Sequence, residues 1–422
     1  MLKLLIMLCS LYHPLTKLVS PSSSSESSVG ASAFAFPSAP AASSTSSAPT
    51  WPSFTTANRT QCNPFKSPGQ LEAVVGEPEK NVYRPWDPSC PPSTLLTSVR
   101  NKEELPWLQN RTVAIFGDSI DRDHINYVCE LAGGEMEWIW EKTRYDPGYT
   151  YSPGDPVAYN ESDNGQNTGG GEQSRPRICH LPQYNFTMVF AFHYGLSDGT
   201  AEERALAHFY PPFRFQDRLE HVLVPILKKI ERYPPDLVSI GEGAWTLQTW
   251  SLEDRATDSN RLLAFSTRRG EWYKKRFTRA LHFVEDAFPT AFSRTDDEDE
   301  RTTGLVFREM QHTKLTDVVA PSRVHGMRRL QSYILDKENK SRKASGAGTW
   351  RLNNIGELLL GMEHHFRGEL TALVGHHTLR RRADQSKCDA DSIHPNILPA
   401  GKLWGDMMLF NLKQHVEATA SW

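Results

Sequence analysis

The stretch Ala114-Ile115-Phe116-Gly117-Asp118-Ser119-Ile120-Asp121-Arg122-Asp123 decides how the rest of the chain is read. Its lead, Thr112 to Phe116, is a short apolar run that stops at a glycine. Such a run, bounded by a turn residue, is the pattern of a strand covered on both faces. A helix is predicted to follow, beginning near Arg122 and running over Asp123 to Ala132. In open α/β sheets, chemistry collects at the carboxyl ends of the strands. Ser119 stands where strand gives way to helix, so its hydroxyl can be exposed and its N–H can face a developing negative charge. An ordinary strand-to-helix turn capped by Ser119 is the other reading of the same residues.

A nucleophilic serine needs a base. Near the C-terminus lies Cys388-Asp389-Ala390-Asp391-Ser392-Ile393-His394-Pro395. Asp391 and His394 are three residues apart, which on a turn or a first helical turn puts both side chains on one side. The carboxylate of Asp391 can then orient the imidazole of His394, and His394 can take the Ser119 proton.

Gly117-Asp118-Ser119 early and Asp391-x-x-His394 late resemble the GDSL/SGNH hydrolase superfamily. Within it, the chain is similar to the PC-esterase branch, which includes the trichome-birefringence-like polysaccharide O-acetyltransferases. The resemblance runs from about Cys62 to the C-terminus and rests on motifs and their order. Arg122, three residues after Ser119, is similar to an arginine that the branch carries there. Arg84-Pro85-Trp86-Asp87-Pro88-Ser89-Cys90 looks like its Trp-, Pro- and Cys-bearing lead-in.

The resemblance implies a three-layer α/β/α sandwich with a central parallel sheet and a Ser119–His394–Asp391 triad. It implies acyl-ester chemistry on a cell-surface or secretory-pathway glycan, by O-acetyl transfer or O-acetyl ester hydrolysis. The partners would be a glycan acceptor and an acyl donor, with no cofactor and no metal. Gly195, after the predicted strand Phe186 to Phe192, is placed like the superfamily's second oxyanion donor. An ordinary turn glycine is the equal alternative. Val306-Phe307-Arg308 resembles an arginine-ended strand of the plant branch. Arg308 would either touch substrate or pair with a carboxylate.

The chain departs from the family at one point. After the predicted strand Asp236 to Ile240 the superfamily usually carries an Asn whose side chain helps hold the oxyanion. Gly241-Glu242-Gly243 stands there instead. One such donor is worth about 3 kcal/mol in rate. Either a backbone N–H of Gly241 or Gly243 replaces it, or another side chain does, or catalysis is weakened. A nearby Glu242 would oppose an oxyanion unless it points away. A glycan-binding or structural cell-surface protein with a weakened site is therefore the competing expectation.

The remaining sequence sets the frame. A length of 422 residues leaves room for one large or two medium domains, and a net charge of −3 gives no reason to expect nucleic acid. Residues 1–20 carry Lys3 and an apolar core from Leu4 to Tyr12, which fits a signal peptide or a signal anchor rather than a full membrane span. Membrane contact is expected only through that segment. Residues 21–57 are mostly Ser, Ala, Thr and Pro, the composition of a disordered stalk. Residues 58–110 read as a Cys-bearing lead-in, and 111–422 as the catalytic domain. Sequons at Asn58, Asn110, Asn160, Asn185 and Asn339 agree with the secretory route, to the Golgi lumen or the cell surface. Cys62–Cys90 and Cys129–Cys179 are the expected bridges, with Cys388 free or tethering the late loop.

Further elements are predicted in order. The run Arg214 to Tyr233 is amphipathic, with Pro225 inside it implying a kink or a break, Ser251 to Phe288 is largely helical, and Gly304 to Arg308 is a strand. Arg323 to His377 reads as mostly helical, and Leu398 to Val416 as a closing helix. Between these, Trp138 to Gly171 is a long insert whose Trp138, Trp140, Tyr145, Tyr149 and Tyr151 either stack on sugar rings or pack locally. His364-His365 and His376-His377 lack ligand spacing and read as a solvated helix face.

Overall fold

The computed structural model describes residues 62–72, 80, 82–139, 144, 146–147, 174–196, 212–256, 264–288, 302–311, 321–358 and 400–420. The chain divides into Met1–Cys62 and Asn63–Trp422, and every described helix and strand belongs to the second unit. The N-terminal segment, the stalk, Asp391, His394 and the paired histidines lie outside the described residues.

A small antiparallel hairpin opens the unit, β1 (Gly69–Glu72) with β2 (Val82–Pro85). A short helix α1 (Leu95–Arg100) follows. Among the described residues the main sheet has seven strands. Four are β3 (Thr112–Gly117), β4 (Glu135–Trp138), β5 (Arg177–Leu181) and β6 (Phe186–Phe192). The other three are β7 (Leu237–Gly241), β8 (Gly304–Arg308) and β9 (Arg351–Asn353). Their order is β4-β5-β6-β3-β7-β8-β9. The five strands from β6 to β9 are mutually parallel, while β5 runs antiparallel to β6 and β4 antiparallel to β5.

The helices are α2 (Ser119–Ala132), α3 (Phe215–Arg218), α4 (Val224–Lys229) and α5 (Ala244–Ala256). They continue with α6 (Thr267–Ala287), α7 (Pro321–Ala344), α8 (Ile355–Leu358) and α9 (Lys402–Ala420). A π-helical turn, Leu219–Leu223, joins α3 to α4 without a break, and Pro225 sits directly after it, so the disturbance expected at the proline takes the form of a widened turn.

The central strands are buried throughout because both faces are covered. Val113, Ile115, Met188, Phe190, Phe192, Leu237 and Val306 face one core, which α1, α2 and α9 complete. Ala114, Phe116, Val189, Ala191, Val238, Ile240, Leu305 and Phe307 face the other, closed by the helices from Phe215 to Leu335. Alternate residues of each strand thus go to opposite layers, and the result is an α/β sandwich.

Two expectations change. The sheet is mostly rather than wholly parallel, since β4 and β5 add an antiparallel edge. The helix after the serine begins at Ser119, not near Arg122, because Asp118 caps it. The stretch from Arg323 is mostly helical over its described part, with β9 inserted as an edge strand of three residues. A bridge joins Cys129, near the end of α2, to Cys179 in β5. Cys62 and Cys90 are both disulfide-bonded as well.

Candidate active site

The site forms at the carboxyl ends of β3, β6, β7 and β8. From β3 the chain adds β6 on one side, then crosses to add β7 on the other. That reversal makes β3 the topological switch point, where an open sheet leaves a crevice.

Residues Thr112 to Asp118 are all buried, Ser119 is half-buried, and Ile120 and Asp121 are buried again. Ser119 therefore brings the first polar side chain of this turn to solvent, at the first position of α2. Asp118 is the N-cap. Its Oδ1 accepts the Ile120 N–H at 2.9 Å, and its own N–H donates to Asp121 Oδ2 at 3.2 Å. This reciprocal pair is a capping box, and a cap of this kind is worth about 1 kcal/mol. The sequence signal for it, Asp118-x-x-Asp121, was present and would have started the helix at Ser119.

Beneath the turn lies an ion pair. Arg308, at the end of β8, donates from Nε to Asp121 Oδ1 at 2.5 Å and from Nη2 to Asp121 Oδ2 at 2.7 Å. Nη2 also reaches Asp118 Oδ1 at 3.4 Å, and Nη1 donates to the Glu309 carbonyl at 3.1 Å. Of the two roles open for Arg308, carboxylate pairing is the one present here. Arg122, one turn along from Ser119, pairs with Asp123 at 2.9 Å.

Next to the turn, the backbone N–H of His193 donates to the Gly117 carbonyl at 2.8 Å, extending the β3–β6 pairing by one residue. The His193 ring is wedged between Phe116 and Phe215. Its Nε2 contacts the Gly241 carbonyl at 2.7 Å, and the Gly195 N–H contacts its Nδ1 at 3.2 Å. A carbonyl can only accept and an N–H can only donate, so the ring is the neutral Nε2–H tautomer. Burial drives the His193 pKa down from 6.5 to about 3. With both nitrogens engaged and no proton to gain near neutrality, His193 cannot serve as the base for Ser119.

The three predicted oxyanion glycines fall at this end of the sheet. Gly195 has φ +80° and Gly243 φ +131°, both left-handed values that favour glycine. The Gly195 N–H is held by His193. Gly241 ends β7 in register with Arg308. Glu242 is buried and turned into the helical layer, where Thr246 Oγ1 donates to its Oε1 at 2.5 Å and the Tyr273 hydroxyl donates to its Oε2. Gln331 completes the network, donating to the Glu242 carbonyl and to the Tyr273 oxygen, each at 2.8 Å. Burial lifts the Glu242 carboxyl from 4.5 to about 7.

No family model matches the chain, and no curated protein matches it in sequence. What the site can do therefore rests on its own residues. Sequence reasoning missed His193, Asp121, Tyr273 and Gln331 as members of this cluster. Asp121 had the capping-box signal; the other three act through contacts made between distant elements, which no local pattern announces. Of the aromatic insert, Trp138 lies at the end of β4 with the Arg177 guanidinium 3.7 Å from its ring centre. Trp140, Tyr145, Tyr149 and Tyr151 lie outside the described residues. Among the described residues, no group of three His, Cys, Asp or Glu side chains is arranged to hold a metal ion.

Proposed function

We propose that this chain performs serine-dependent acyl-ester chemistry on a glycan of the secretory pathway or cell surface, within an SGNH-like fold. The observation that carries the reading is Ser119: a half-buried serine at the first position of a capped helix, at the carboxyl end of the central strand of a mostly parallel sheet. In the proposed reaction, Ser119 Oγ attacks an acyl carbonyl while its proton passes to His394. Asp391 orients His394 and offsets its charge. The tetrahedral intermediate collapses, and the leaving alcohol takes the proton from His394. Water or a glycan hydroxyl then attacks the acyl-enzyme, gives its proton to His394, and leaves with the acyl group as Ser119 is restored. The Ser119 N–H, at the positive end of α2, faces the developing oxyanion.

Chain geometry supports the triad. Gly401 lies against the ring of Tyr127, and Tyr127 stands eight residues, about 12 Å of helix, from Ser119. His394 is six residues before Ala400, a span that covers at most about 21 Å. The Asp391–His394 segment is thus within covalent reach of Ser119. The Cys129–Cys179 bridge supports an oxidising compartment, in keeping with the secretory route.

A fluorophosphonate probe applied to the purified protein tests the reading. Wild type is expected to label, and Ser119→Ala and His394→Ala are expected not to. A folded wild type that stays unlabelled overturns it. A second reading, a glycan-binding protein with a weakened site, draws on the Gly195 N–H being held within the protein. It expects a glycan array to give the same binding for wild type and Ser119→Ala, with no labelling of either.

A further inference from the structure

We infer that Arg308 is a positioning residue of the serine turn: from the end of β8 it locks Asp118 and Asp121 in place and offsets one of their two charges beside Ser119. The inference rests on the serine reading above and assigns a part of the same site.

Three observations carry it. The first is the reach. β8 does not touch β3; β7 lies between them. Arg308 spans the end of β7 to meet two carboxylates 187 and 190 residues away in sequence. The second is the passage it uses. A Cβ on Gly241 would overlap both the Arg308 guanidinium and Asp121 Oδ2, and a Cβ on Gly117 would overlap the Asp121 carboxyl. Glycine at both strand ends leaves room for the pair. The third is burial: Arg308 and Asp121 are about as enclosed as side chains can be, at 1% and 0% exposure. A buried ion pair gains little net stability over apolar packing of the same size, but it costs much to break one side. Its value lies in fixing one geometry.

The geometry in question is that of Ser119. Asp118 and Asp121 bracket the serine in sequence, and both bond the backbone of its turn. Two carboxylates this close to the nucleophile would oppose an oxyanion formed there. The cation on Arg308 offsets one of them, and its two-pronged bond to Asp121 keeps that carboxylate turned toward the guanidinium. The positive end of α2 is then left to act on the reacting carbonyl.

The test compares wild type, Arg308→Met, Arg308→Lys and the double variant Arg308→Met with Asp121→Asn, using fluorophosphonate labelling rates over a range of probe concentration. Fold and melting temperature are followed in parallel. For Arg308→Met, the labelling rate at saturating probe should fall by about a hundredfold, the scale of losing one preorganised electrostatic group, with little change in the concentration giving half that rate. Arg308→Lys keeps the charge without the fork and should recover part of the loss. The double variant removes one of the opposing carboxylates and should also label faster than Arg308→Met. If Arg308→Met is folded and labels as fast as wild type, the inference is overturned while the serine reading stands. If it does not fold, Arg308→Lys decides: a folded lysine variant with an unchanged rate shows that Arg308 is structural only. If folded wild type does not label, the serine reading fails, and this inference with it.

Discussion

His193 Nε2 and the carbonyl oxygen of Gly241 lie 2.7 Å apart, so an imidazole from the end of β6 bridges to the end of β7 above the strand that leads to Ser119. The bond ties both neighbours of β3 together at the level of the turn. It also holds His193 in one tautomer. The unfolded chain takes up a proton at this residue below about 6.5, whereas the folded one does so only near 3. Stability from this group is therefore present above 6.5 and is lost as pH falls through that window. Nitrogen-15 NMR of labelled histidine should show His193 as the neutral Nε2–H form, without titration between pH 8 and pH 5. A His193 signal titrating in that range would contradict the arrangement.

Glu242 gives the opposite sign. Between its ordinary value of 4.5 and about 7 the folded protein holds a proton that the unfolded chain has released. Stability from this group therefore falls as pH rises across that window, by on the order of 3 kcal/mol. Melting curves of wild type and Glu242→Gln between pH 5 and pH 8.5 test this. The wild-type curve should fall more steeply with rising pH than that of the variant. Parallel curves would sink the idea.

Gly241→Ala should destabilise the protein by about 3 kcal/mol or more, the cost of disrupting a buried ion pair, since its methyl overlaps the Arg308–Asp121 pair. Gly346→Ala is the control. Gly346 has φ +75° and open space around a Cβ, so only backbone strain of about 1 kcal/mol is expected. Denaturant unfolding of the two variants separates the effect of space from that of dihedral angle. Equal losses would remove the case for a passage at Gly241.

Asp406 caps a helix that is not its own. The first residues of α1 lack a cap from Thr94, and the Leu96 N–H instead donates to Asp406 Oδ1 of α9 at 2.8 Å. Asp406→Ala should cost about 1–2 kcal/mol and raise hydrogen exchange in residues 95–100. Unchanged exchange there would show that the lead-in helix holds by apolar packing alone.

The strands were legible because each is a short apolar run between turn residues. Phe186–Phe192 and Gly304–Arg308 fall where the sequence puts them, and Thr112–Gly117 extends its reading by one residue. β4 was not legible: Glu135-Met136-Glu137-Trp138 is an edge strand with half its side chains in water. Nor was β9, whose Arg351-Leu352-Asn353 is too short to show a period.

What the sequence by itself determined is the α/β class, the strand-to-helix turn that presents Ser119, and the candidacy of that serine. These follow from local pattern: apolar runs, glycine stops and residue spacing. Only the tertiary structure decided that Arg308 spends its charge on Asp121. It also decided that His193 bridges to the Gly241 carbonyl and that Glu242 bonds to Tyr273. The physical reason is that a buried polar group must find its partner wherever the fold brings one. For Arg308 that partner lies 187 residues away, beyond any window in which a sequence shows its period.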